Sequence, residues 1–265
     1  MDVFYEKAMP WGGEKSPQEL LRLRETLALV PEHARSVLEV GCGDGFILNQ
    51  LAESRKFDRL AGMDGSFSAL KHVTPQAMQG SVESLPFADA TWDLVMCLEV
   101  IEHLPCGVYE TALGELQRVA RRFIIVTTPN RQNLKNTQFI CPQCYCRFHL
   151  DRHVRSFTTD TMASLLPDFR LVDCKTCGVE KDFLFRGVAV SIGRRLGVLD
   201  SFPPRALCPQ CGYQREVSKN GGHAPNSQGT GKNAADSRRQ LKSLAKNLIP
   251  HRTRGKWIFA LFERK

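Results

Sequence analysis

Residues 37–45 have the sequence Val-Leu-Glu-Val-Gly-Cys-Gly-Asp-Gly, an apolar strand that continues directly into a glycine-rich turn. Gly41, Gly43 and Gly45 allow backbone dihedral angles that a Cβ atom would obstruct, and they let a ligand approach the main chain closely. A helical pattern follows from about Asp44 to Ser54. Because a strand, a turn and a helix follow one another in this order, the motif predicts a nucleotide-binding turn in an α/β sheet.

The spacing of this turn differs from that of a dinucleotide-binding turn. In the dinucleotide motif the third glycine stands three positions after the second, whereas Gly43 and Gly45 are two apart. The strand also carries an acid, Glu39, which suits a cationic ligand better than a pyrophosphate. About twenty residues further on, Asp64 ends the next strand, where a carboxylate can accept hydrogen bonds from both hydroxyls of a ribose. These features predict a nucleoside ligand that carries a positive charge.

Apolar runs and helical patterns alternate on both sides of the turn. Ser16-Pro17-Gln18-Glu19 has the form of a capping box with proline at the first helical position, which predicts a helix start. Further helices are predicted at Asp44–Ser54, Phe67–Val73, Tyr109–Val119 and Thr159–Leu166, and strands at Ser36–Val40, Arg59–Met63, Leu94–Leu98, Phe123–Thr127 and Phe169–Cys174. Such alternation predicts parallel strands joined by crossover helices. Trp257–Phe262 is expected to close the sheet as an antiparallel last strand.

Several of these motifs together resemble those of class I S-adenosylmethionine-dependent methyltransferases, from about Ser36 to Phe169. The motifs are Glu39-Val40-Gly41-Cys42-Gly43-Asp44-Gly45, Asp64, Gly80-Ser81-Val82-Glu83-Ser84-Leu85-Pro86-Phe87 and Trp92-Asp93-Leu94-Val95. The resemblance implies an α/β, Rossmann-like fold with a seven-stranded, mostly parallel sheet and an antiparallel last strand. It also implies S-adenosylmethionine as the cofactor.

The resemblance further implies a set of cofactor-binding positions. They are Glu39, Gly41, Cys42, Gly43, Asp64, Gly65, Ser81, Val82 and Leu98. Gly41 and Gly43 would line the methionine portion, Asp64 would hold the ribose, and Ser81 with Val82 would border the adenine. Many relatives carry Asp where Ser81 stands, so a weaker or water-mediated contact to the adenine amino group is expected here.

His103, just after the fourth predicted strand, is the candidate catalytic base. Methyl transfer from a sulfonium is an in-line displacement in which the cofactor carries the reactivity, so the protein mainly aligns the reactants and excludes water. A base is needed only where the acceptor must lose a proton, and an imidazole can take that role.

The segment around His103 also supports a metal-dependent interpretation. Glu99, Glu102 and His103 form an E-x-x-E-H arrangement, and His153 follows later in the chain. This set resembles the metal site of small-RNA 3′-terminal 2′-O-methyltransferases, which implies Mg²⁺ or Mn²⁺ that lowers the pKa of the acceptor hydroxyl. The E-H-L ending also occurs widely in class I enzymes that use no metal, including ubiquinone-biosynthesis O-methyltransferases. In that case His153 caps or orients the helix that follows it.

Two near-identical cysteine knuckles predict a zinc site. Cys141-Pro142-Gln143-Cys144 and Cys208-Pro209-Gln210-Cys211 each present two thiolates at the spacing that tetrahedral zinc requires. The loop after strand five and the connection after strand six leave the same edge of such a sheet, so the knuckles are expected to meet beside the substrate opening. The alternatives are two unliganded loops, or a shifted ligand set that includes Cys146 or His149. The chain is similar in this region to uncharacterised bacterial methyltransferases that carry a zinc ribbon.

The other cysteines are expected to be structural. Cys174 and Cys177 stand three positions apart on a predicted strand, so their side chains face opposite sides of the sheet. Cys42, Cys97 and Cys106 are interpreted as small packing residues.

These patterns divide the chain into five segments. The segments are an N-terminal helical segment (1–35), a cofactor-binding core that includes the first knuckle (36–178), an insertion with the second knuckle (179–217), a flexible linker (218–237), and a basic helix with the final strand (238–265). The linker is predicted because its sequence is rich in Gly and Asn and lacks apolar anchors. Residues 129–153 are predicted to form a loop, and residues 179–206 to be helical.

Charge and hydropathy limit the classes of protein to which this sequence can belong. The net charge is +8, and the carboxyl-terminal part from Arg215 carries twelve Lys and Arg against three Asp and Glu. Such a basic segment can meet nucleic acid or an anionic surface, or it can be a solvated tail. No stretch supplies the roughly 18 apolar residues of a membrane span, and Met1–Ser16 has no apolar export segment. We therefore expect a soluble, cytoplasmic protein with reduced thiols.

Three functions fit the sequence. The first is a metal-independent methyltransferase that acts on a small molecule, lipid or glycan, with oxygen as the expected acceptor atom. The second is a metal-dependent RNA 2′-O-methyltransferase. The third is a non-catalytic assembly module that binds zinc and the cofactor, against which the intact Gly41, Gly43 and Asp64 argue. The acceptor itself is not specified by any motif.

Overall fold

The computed structural model describes residues 6, 11–54, 57–183, 202–203, 206–215 and 251–265. The helices are α1 (Pro17–Leu27), α2 (Phe46–Ser54), α3 (Phe67–Leu70), α4 (Val108–Val119) and α5 (Thr159–Met162). The strands are β1 (Ser36–Val40), β2 (Arg59–Asp64), β3 (Gln76–Gln79), β4 (Trp92–Leu98), β5 (Ala120–Pro129), β6 (Gln138–Ile140), β7 (Arg147–His149), β8 (Phe169–Cys177), β9 (Glu180–Phe183), β10 (His251–Arg254) and β11 (Trp257–Arg264). Two 3₁₀ turns lie at Ile101–His103 and Leu134–Thr137.

Seven strands form one sheet in the order β3-β2-β1-β4-β5-β11-β8. Neighbours from β3 to β5 pair in parallel, whereas β11 pairs antiparallel with both β5 and β8. The predicted seven-stranded, mostly parallel sheet with an antiparallel last strand is therefore confirmed. Because β1 lies beside β4, the chain order reverses there, and such a switch point opens a crevice at the carboxyl ends of the strands.

Apolar side chains cover both faces of the sheet. Along β4, Val95 and Cys97 face a core that includes residues of α4 and α5. Leu94 and Met96 face the opposite core, which includes residues of α1 and α2. This alternation follows from the two-residue period of a strand, and burial on both faces explains why β1 and β4 are continuously apolar.

Helix α1 begins where the capping box predicts. The Ser16 side chain accepts a hydrogen bond from the Glu19 N–H, and the Glu19 carboxylate accepts one from the Ser16 N–H at 2.8 Å. These two bonds satisfy backbone donors that the first helical turn leaves open.

Two predicted helices are shorter than expected. The pattern at 67–73 gives only the four-residue α3, and the pattern at 159–166 gives only α5. Pro75 and Pro167 follow these segments, and a proline disfavours helical dihedral angles in the residue before it. Strand β3 was not predicted, because Gln-Ala-Met-Gln has neither β-branched residues nor an apolar face that would identify an edge strand.

The region predicted as a loop contains a short hairpin. Within 129–153, β6 and β7 pair antiparallel, with Phe139 opposite Phe148. The helical prediction for 179–206 is wrong at its start, where β9 pairs antiparallel with β10. The predicted linker and most of the predicted basic helix lie outside the described residues, and His251–Arg254, within the segment of the predicted helix, is a strand.

The packing roles of the cysteines are confirmed with one exception. Cys174 and Cys177 face opposite cores of the sheet, and Cys42 and Cys97 are buried. Cys106 is exposed instead, because it lies in the turn before α4 and not in an element. None of the helices in the described residues has the length and apolar character required to span a membrane.

Candidate cofactor and acceptor site

The glycine turn between β1 and α2 has the backbone that its sequence predicts. Gly41, Gly43 and Gly45 all have positive φ, at 75°, 54° and 73°. A Cβ atom on Gly41 would lie 2.3 Å from Cγ2 of Val100, so this position also lacks space for a side chain. The N–H groups of Gly41 and Cys42 donate to the Met63 carbonyl at 2.7 and 3.1 Å, which joins the turn to the end of β2.

Asp64 holds the turn against the second strand. Its Oδ2 atom accepts a hydrogen bond from the Gly43 N–H at 2.8 Å, and its Oδ1 atom accepts one from the Ser66 N–H at 2.7 Å. Burial raises the pKa of Asp64 above its ordinary value, although these N–H groups oppose the rise. Each carboxylate oxygen has a second lone pair, so Asp64 can still accept a hydrogen bond from a ligand hydroxyl.

Glu39 is a buried acid at the end of β1. Only 3% of the residue is exposed, and its Oε2 atom has no hydrogen-bond partner among the described residues. Burial raises the pKa of Glu39 to about 8; Asp64 and Asp44 raise it further, and Arg22 opposes the rise. A buried carboxylate with an open oxygen favours a cationic ligand beside it.

Other buried polar atoms without partners lie at the same edge of the sheet. Within the described residues they include Oε1 of Glu99, both carboxylate oxygens of Glu102, and Oδ1 of Asn130. Glu99 and Glu102 follow β4, Asn130 follows β5, and Glu99 has an unusual positive φ of 57°. Buried polar atoms are nearly always paired with protein or water, so this concentration marks where a ligand or water binds.

The remaining predicted cofactor positions lie at the carboxyl ends of β1 to β4. The Gly80 N–H donates to the Asp64 carbonyl at 3.0 Å, which brings the exposed Ser81 beside the end of β2. Val82 and Leu98 pack against the two cores, and the Gly65 carbonyl accepts a hydrogen bond from Gln79 at 2.9 Å.

Cys42 differs from the other predicted cofactor positions because its side chain faces the interior. Its Sγ atom lies 2.7 Å from the position that a Cβ atom on Gly62 would occupy. The Cys42 thiol therefore packs against β2, and only its backbone can border a ligand.

The sequence prediction missed the segment before α1, which lies on the glycine turn. Cζ3 of Trp11 is 3.2 Å from the position that a Cβ atom on Gly43 would occupy. Asp44 accepts hydrogen bonds from the Gly12 N–H at 3.1 Å and from Lys15 Nζ at 2.5 Å. The only signal in the sequence is an aromatic residue in a polar stretch, and nothing local connects Trp11 to a turn about thirty residues later.

Three histidines and an acid lie together in space near the carboxyl end of β4. Oε1 of Glu102 is 3.9 Å from Nε2 of His103. The His103 and His153 rings are 4.5 Å apart, and the His149 and His153 rings stack at 4.8 Å. Burial and the neighbouring imidazoles lower the pKa of His103 to about 3, and burial with His149 lowers that of His153 to about 4.

The structure brings together three of the four residues of the predicted metal alternative. Ligand atoms of Glu102, His103 and His153 lie within 4.8 Å of one another. Glu99 is not part of this group, and one of its oxygens is instead 4.0 Å from Arg22 Nη1. The positive φ of Glu99 turns the chain between the two acids, which sequence spacing does not reveal.

The two cysteine knuckles meet as predicted. Sγ of Cys141 is 3.6 Å from Sγ of Cys211, and Sγ of Cys144 is 3.4 Å from Sγ of Cys208. All four sulfur atoms lie within 4.8 Å of one another. Tetrahedral zinc with bonds of about 2.3 Å separates its sulfur ligands by about 3.8 Å, so the arrangement fits the ion.

An open groove at the opposite edge of the sheet is a weaker candidate. It has a volume of about 1030 Å³ and lies at the amino ends of the strands. Several of its charged groups are bonded within the protein, since Arg121 pairs with Asp93 at 3.0 Å and Arg59 donates to the Thr91 carbonyl. The carboxyl edge, with its open polar atoms, is therefore the candidate site.

Comparisons with known sequences agree with the fold. Residues 38–123 match the family described as "Methyltransferase domain". A Mycobacterium tuberculosis protein named "Probable S-adenosylmethionine-dependent methyltransferase" is 31% identical over 155 residues, which cover 55% of this chain and 52% of that protein. The ubiquinone biosynthesis O-methyltransferase of Paracidovorax citrulli is 30% identical over 96 residues, which cover 32% and 40% of the two chains. The matched regions thus span about half the length of these relatives or less.

Solved structures show the same architecture at low sequence identity. An S-adenosylmethionine-dependent methyltransferase from Mesorhizobium loti superposes with a TM-score of 0.50 at 13% identity, covering 93% of this chain and 97% of its own. The 4+2 cyclase SpnF superposes with a TM-score of 0.51 at 12% identity, covering 96% and 86%. Because a cyclase is among these structures, the likeness identifies the fold and not the reaction. The described chain thus has the Rossmann-like fold of the class I methyltransferases.

Proposed function

We propose that this chain binds S-adenosylmethionine at the carboxyl ends of β1 and β2 and transfers its methyl group to an acceptor beside β4 and β5. The observation that carries the proposal is the group of open, buried acids next to a glycine turn, of which Glu39 is the clearest. The match of residues 38–123 to the methyltransferase domain family supports the same activity.

The residues present fit this cofactor. S-Adenosylmethionine carries a sulfonium and an ammonium group. Burial raises the pKa of Glu39 and of Glu99, and each pKa would fall when such a cation binds beside these acids, so that they ionise and pair with it. Gly41 and Gly43 have the positive φ values that this turn of the main chain requires, and Asp64 has lone pairs for the ribose hydroxyls. Ser81 and Val82 would border the adenine. When bound, the cofactor supplies an electrophilic methyl group.

On the acceptor side, we expect oxygen of a small molecule, lipid or glycan to receive the methyl group. His103 lies just beyond β4 with 20% of its side chain exposed, so it can face an acceptor, and its low pKa leaves it neutral and able to take a proton where a neighbouring acid stabilises the imidazolium. The buried Glu102 lies 3.9 Å from that imidazole, so its ionised form would stabilise the imidazolium. Alignment and exclusion of water are then the main tasks of the surrounding side chains.

Calorimetry with S-adenosylhomocysteine, the demethylated product, tests the cofactor site without a known acceptor. Asp64→Ala should weaken binding by at least tenfold, because the turn loses its anchor and the ribose its hydrogen-bond acceptor. Asp173→Ala on the exposed side of β8 is the matched control and should bind as the wild type does. Failure of the wild type to bind S-adenosylhomocysteine or S-adenosylmethionine would refute the enzyme proposal. Incubating the protein with acceptor extracts and radiolabelled S-adenosylmethionine then tests methyl transfer.

We also propose that Cys141, Cys144, Cys208 and Cys211 hold one structural zinc ion. Their sulfur separations fit tetrahedral coordination, and the cluster lies within its own small apolar core. Elemental analysis of protein purified without chelator should find one zinc per chain, and Cys144→Ser should lose it. Cys106→Ser alters an exposed thiol outside the cluster and should retain zinc. Wild-type protein without zinc would contradict this site.

A second candidate function is metal-dependent 2′-O-methylation of RNA, which the grouping of Glu102, His103 and His153 favours. These residues would hold Mg²⁺ or Mn²⁺, and the ion would lower the pKa of the acceptor hydroxyl. Electron paramagnetic resonance of added Mn²⁺ should show binding to the wild type and at least a tenfold loss in Glu102→Gln. Glu53→Gln, at an exposed helix position, is the control. Equal Mn²⁺ binding by wild type and Glu102→Gln would exclude this function.

A further inference from the structure

We propose that the four-cysteine module forms one wall of the acceptor site, and that zinc bound there positions the imidazoles of His149, His153 and His103. The module comprises the β6–β7 hairpin with the knuckle at 141–144, and the knuckle at 206–215. The inference rests on the proposed function, because it assigns a role to the zinc site within the methyltransferase.

The hairpin has one face toward the cysteines and one toward the acceptor site. Phe148 on β7 is buried in the same cluster as Cys141 and Cys208. Its neighbour His149 points to the other side of the strand, because successive side chains alternate, and only 5% of His149 is exposed. A displacement of β7 by the cysteine cluster would therefore move His149 directly.

His149 contacts His153 and, through it, His103 just after β4. Its ring stacks on that of His153 with an interplanar angle of 14°, and the His153 ring meets His103 edge to face at 76°. Nδ1 of His149 also accepts hydrogen bonds from the backbone N–H groups of Asp151 and His153, at 3.1 and 3.3 Å. His149 thus fixes both the loop and the ring of His153, so it is a positioning residue.

A second connection links the other knuckle to the same loop. Nη2 of Arg152 donates to the Leu207 carbonyl at 2.5 Å, and Leu207 immediately precedes Cys208. The Arg152 guanidinium also lies 4.9 Å from the ring centroid of Phe148. The Val154 N–H then donates to the Glu102 carbonyl at 2.8 Å. Both knuckles are therefore linked by contacts to the segment that contains His153.

Zinc is the group that joins these two parts of the module firmly. The paired cysteines lie 64 to 70 residues apart in the sequence, and coordination would hold their knuckles together. The cofactor side is held separately, because Asp64 anchors the glycine turn through Gly43 and Lys15 pairs with Asp44. Loss of zinc should disturb the histidines and leave cofactor binding intact.

Long-range ¹H–¹⁵N spectra of the imidazoles test whether zinc affects the histidines without affecting cofactor binding. In protein labelled with ¹⁵N-histidine, Cys144→Ser should shift or broaden the signals of His103, His149 and His153. The signals of His33 and His72, outside the module, should not move, and S-adenosylhomocysteine affinity should stay within twofold of the wild type. Arg152→Gln should retain zinc and move the same three signals, since it breaks the bond to the Leu207 carbonyl and the contact with Phe148 while all four cysteines remain.

Removal of zinc from the wild type by a chelator, followed by its return, repeats the test if Cys144→Ser does not fold. If the signals of the three histidines do not change on zinc loss and S-adenosylhomocysteine still binds, the inference is overturned. The proposed enzyme function is not affected by that result. Wild-type protein that carries zinc but binds neither form of the cofactor would instead refute the proposed function. A loss of S-adenosylhomocysteine affinity that zinc restores would also overturn the inference, because the two sides would then not be separate.

Discussion

At the scale of single residues, the site is defined by acids that the fold buries without full compensation. Glu39, Glu99 and Glu102 each have a buried oxygen with no partner among the described residues. Such groups reduce the stability of a protein unless a ligand pairs with them. The nearby Arg22 faces more than one acid. Burial raises the pKa of each of these acids, and a cation beside them would let them ionise, which favours a cationic cofactor.

Glu39 predicts a specific dependence of stability on pH. Its pKa is about 8 in the folded chain against an ordinary value of 4.5, because burial disfavours the charge. Between these values the folded state holds a proton that the unfolded state has released, so the free energy of unfolding falls as pH rises. Glu39→Gln should flatten this fall from pH 5 to pH 8, by roughly 1–3 kcal/mol. Arg22, Asp44 and Asp64 face the same carboxyl and remain in the variant.

Thermal unfolding measured at several pH values without cofactor checks this prediction. Glu83→Gln, at an exposed position, serves as the control and should retain the wild-type slope. Identical slopes for wild type and Glu39→Gln would show that Glu39 is already ionised in the free protein. The raised pKa of Glu39 would then be wrong, and its negative charge would be present before any cation binds.

At the scale of elements, structure that depends on contacts close in sequence was predictable. Structure that depends on contacts distant in sequence was not predictable from local patterns. The capping box at Ser16 fixes the start of α1 through bonds within four residues, so the sequence alone predicts it. The β6–β7 hairpin was missed because its strands have three residues each, and their pairing depends on the cysteine cluster behind Phe148. The meeting of the knuckles was predictable only from fold topology. The contact of Trp11 with the turn had no local signal at all.

The segment before α1 predicts a role for Trp11 in cofactor binding. Its ring lies against Gly43, and Asp44 holds the segment through Gly12 and Lys15. Trp11→Ala should weaken S-adenosylhomocysteine binding by about twofold to tenfold, because an aromatic contact of this kind stabilises by roughly 0.5–1.5 kcal/mol. Titration calorimetry measures the loss.

Tryptophan fluorescence supplies an independent measurement for the same element. Trp92 and Trp257 are buried, at 2% and 6% exposure, so Trp11 should give most of the change on ligand binding. Trp92→Phe, at the amino end of β4, is the matched control and should keep that change, whereas Trp11→Phe should lose it. If Trp11→Phe retained the full change, the segment would not border the cofactor.

At the scale of the whole molecule, the architecture separates the proposed cofactor-binding and acceptor-binding regions, which both lie at one edge of the sheet. The ends of β1 and β2 carry the glycine turn and Asp64, whereas β4 ends just before His103 and β5 leads to the segment with the first cysteine knuckle. Because β1 and β4 are neighbours, the two groups adjoin at the switch point where a methyl group would have to pass. Each side can therefore have its own ligand and its own local stability.

Hydrogen exchange measured by mass spectrometry should resolve these two sides. S-Adenosylhomocysteine should slow exchange in peptides that cover 41–45 and 64–66, where backbone N–H groups bond Met63 and Asp64. Zinc removal should speed exchange in 138–149 and 206–215, because the loop that zinc would close is worth about 4 kcal/mol by chain entropy. The interior strands β1 and β4 should exchange slowly in every state, since both faces of each are covered. Faster exchange across the whole sheet on zinc loss would show instead that the module is part of one cooperative unit, and the separation of the two sides would be wrong.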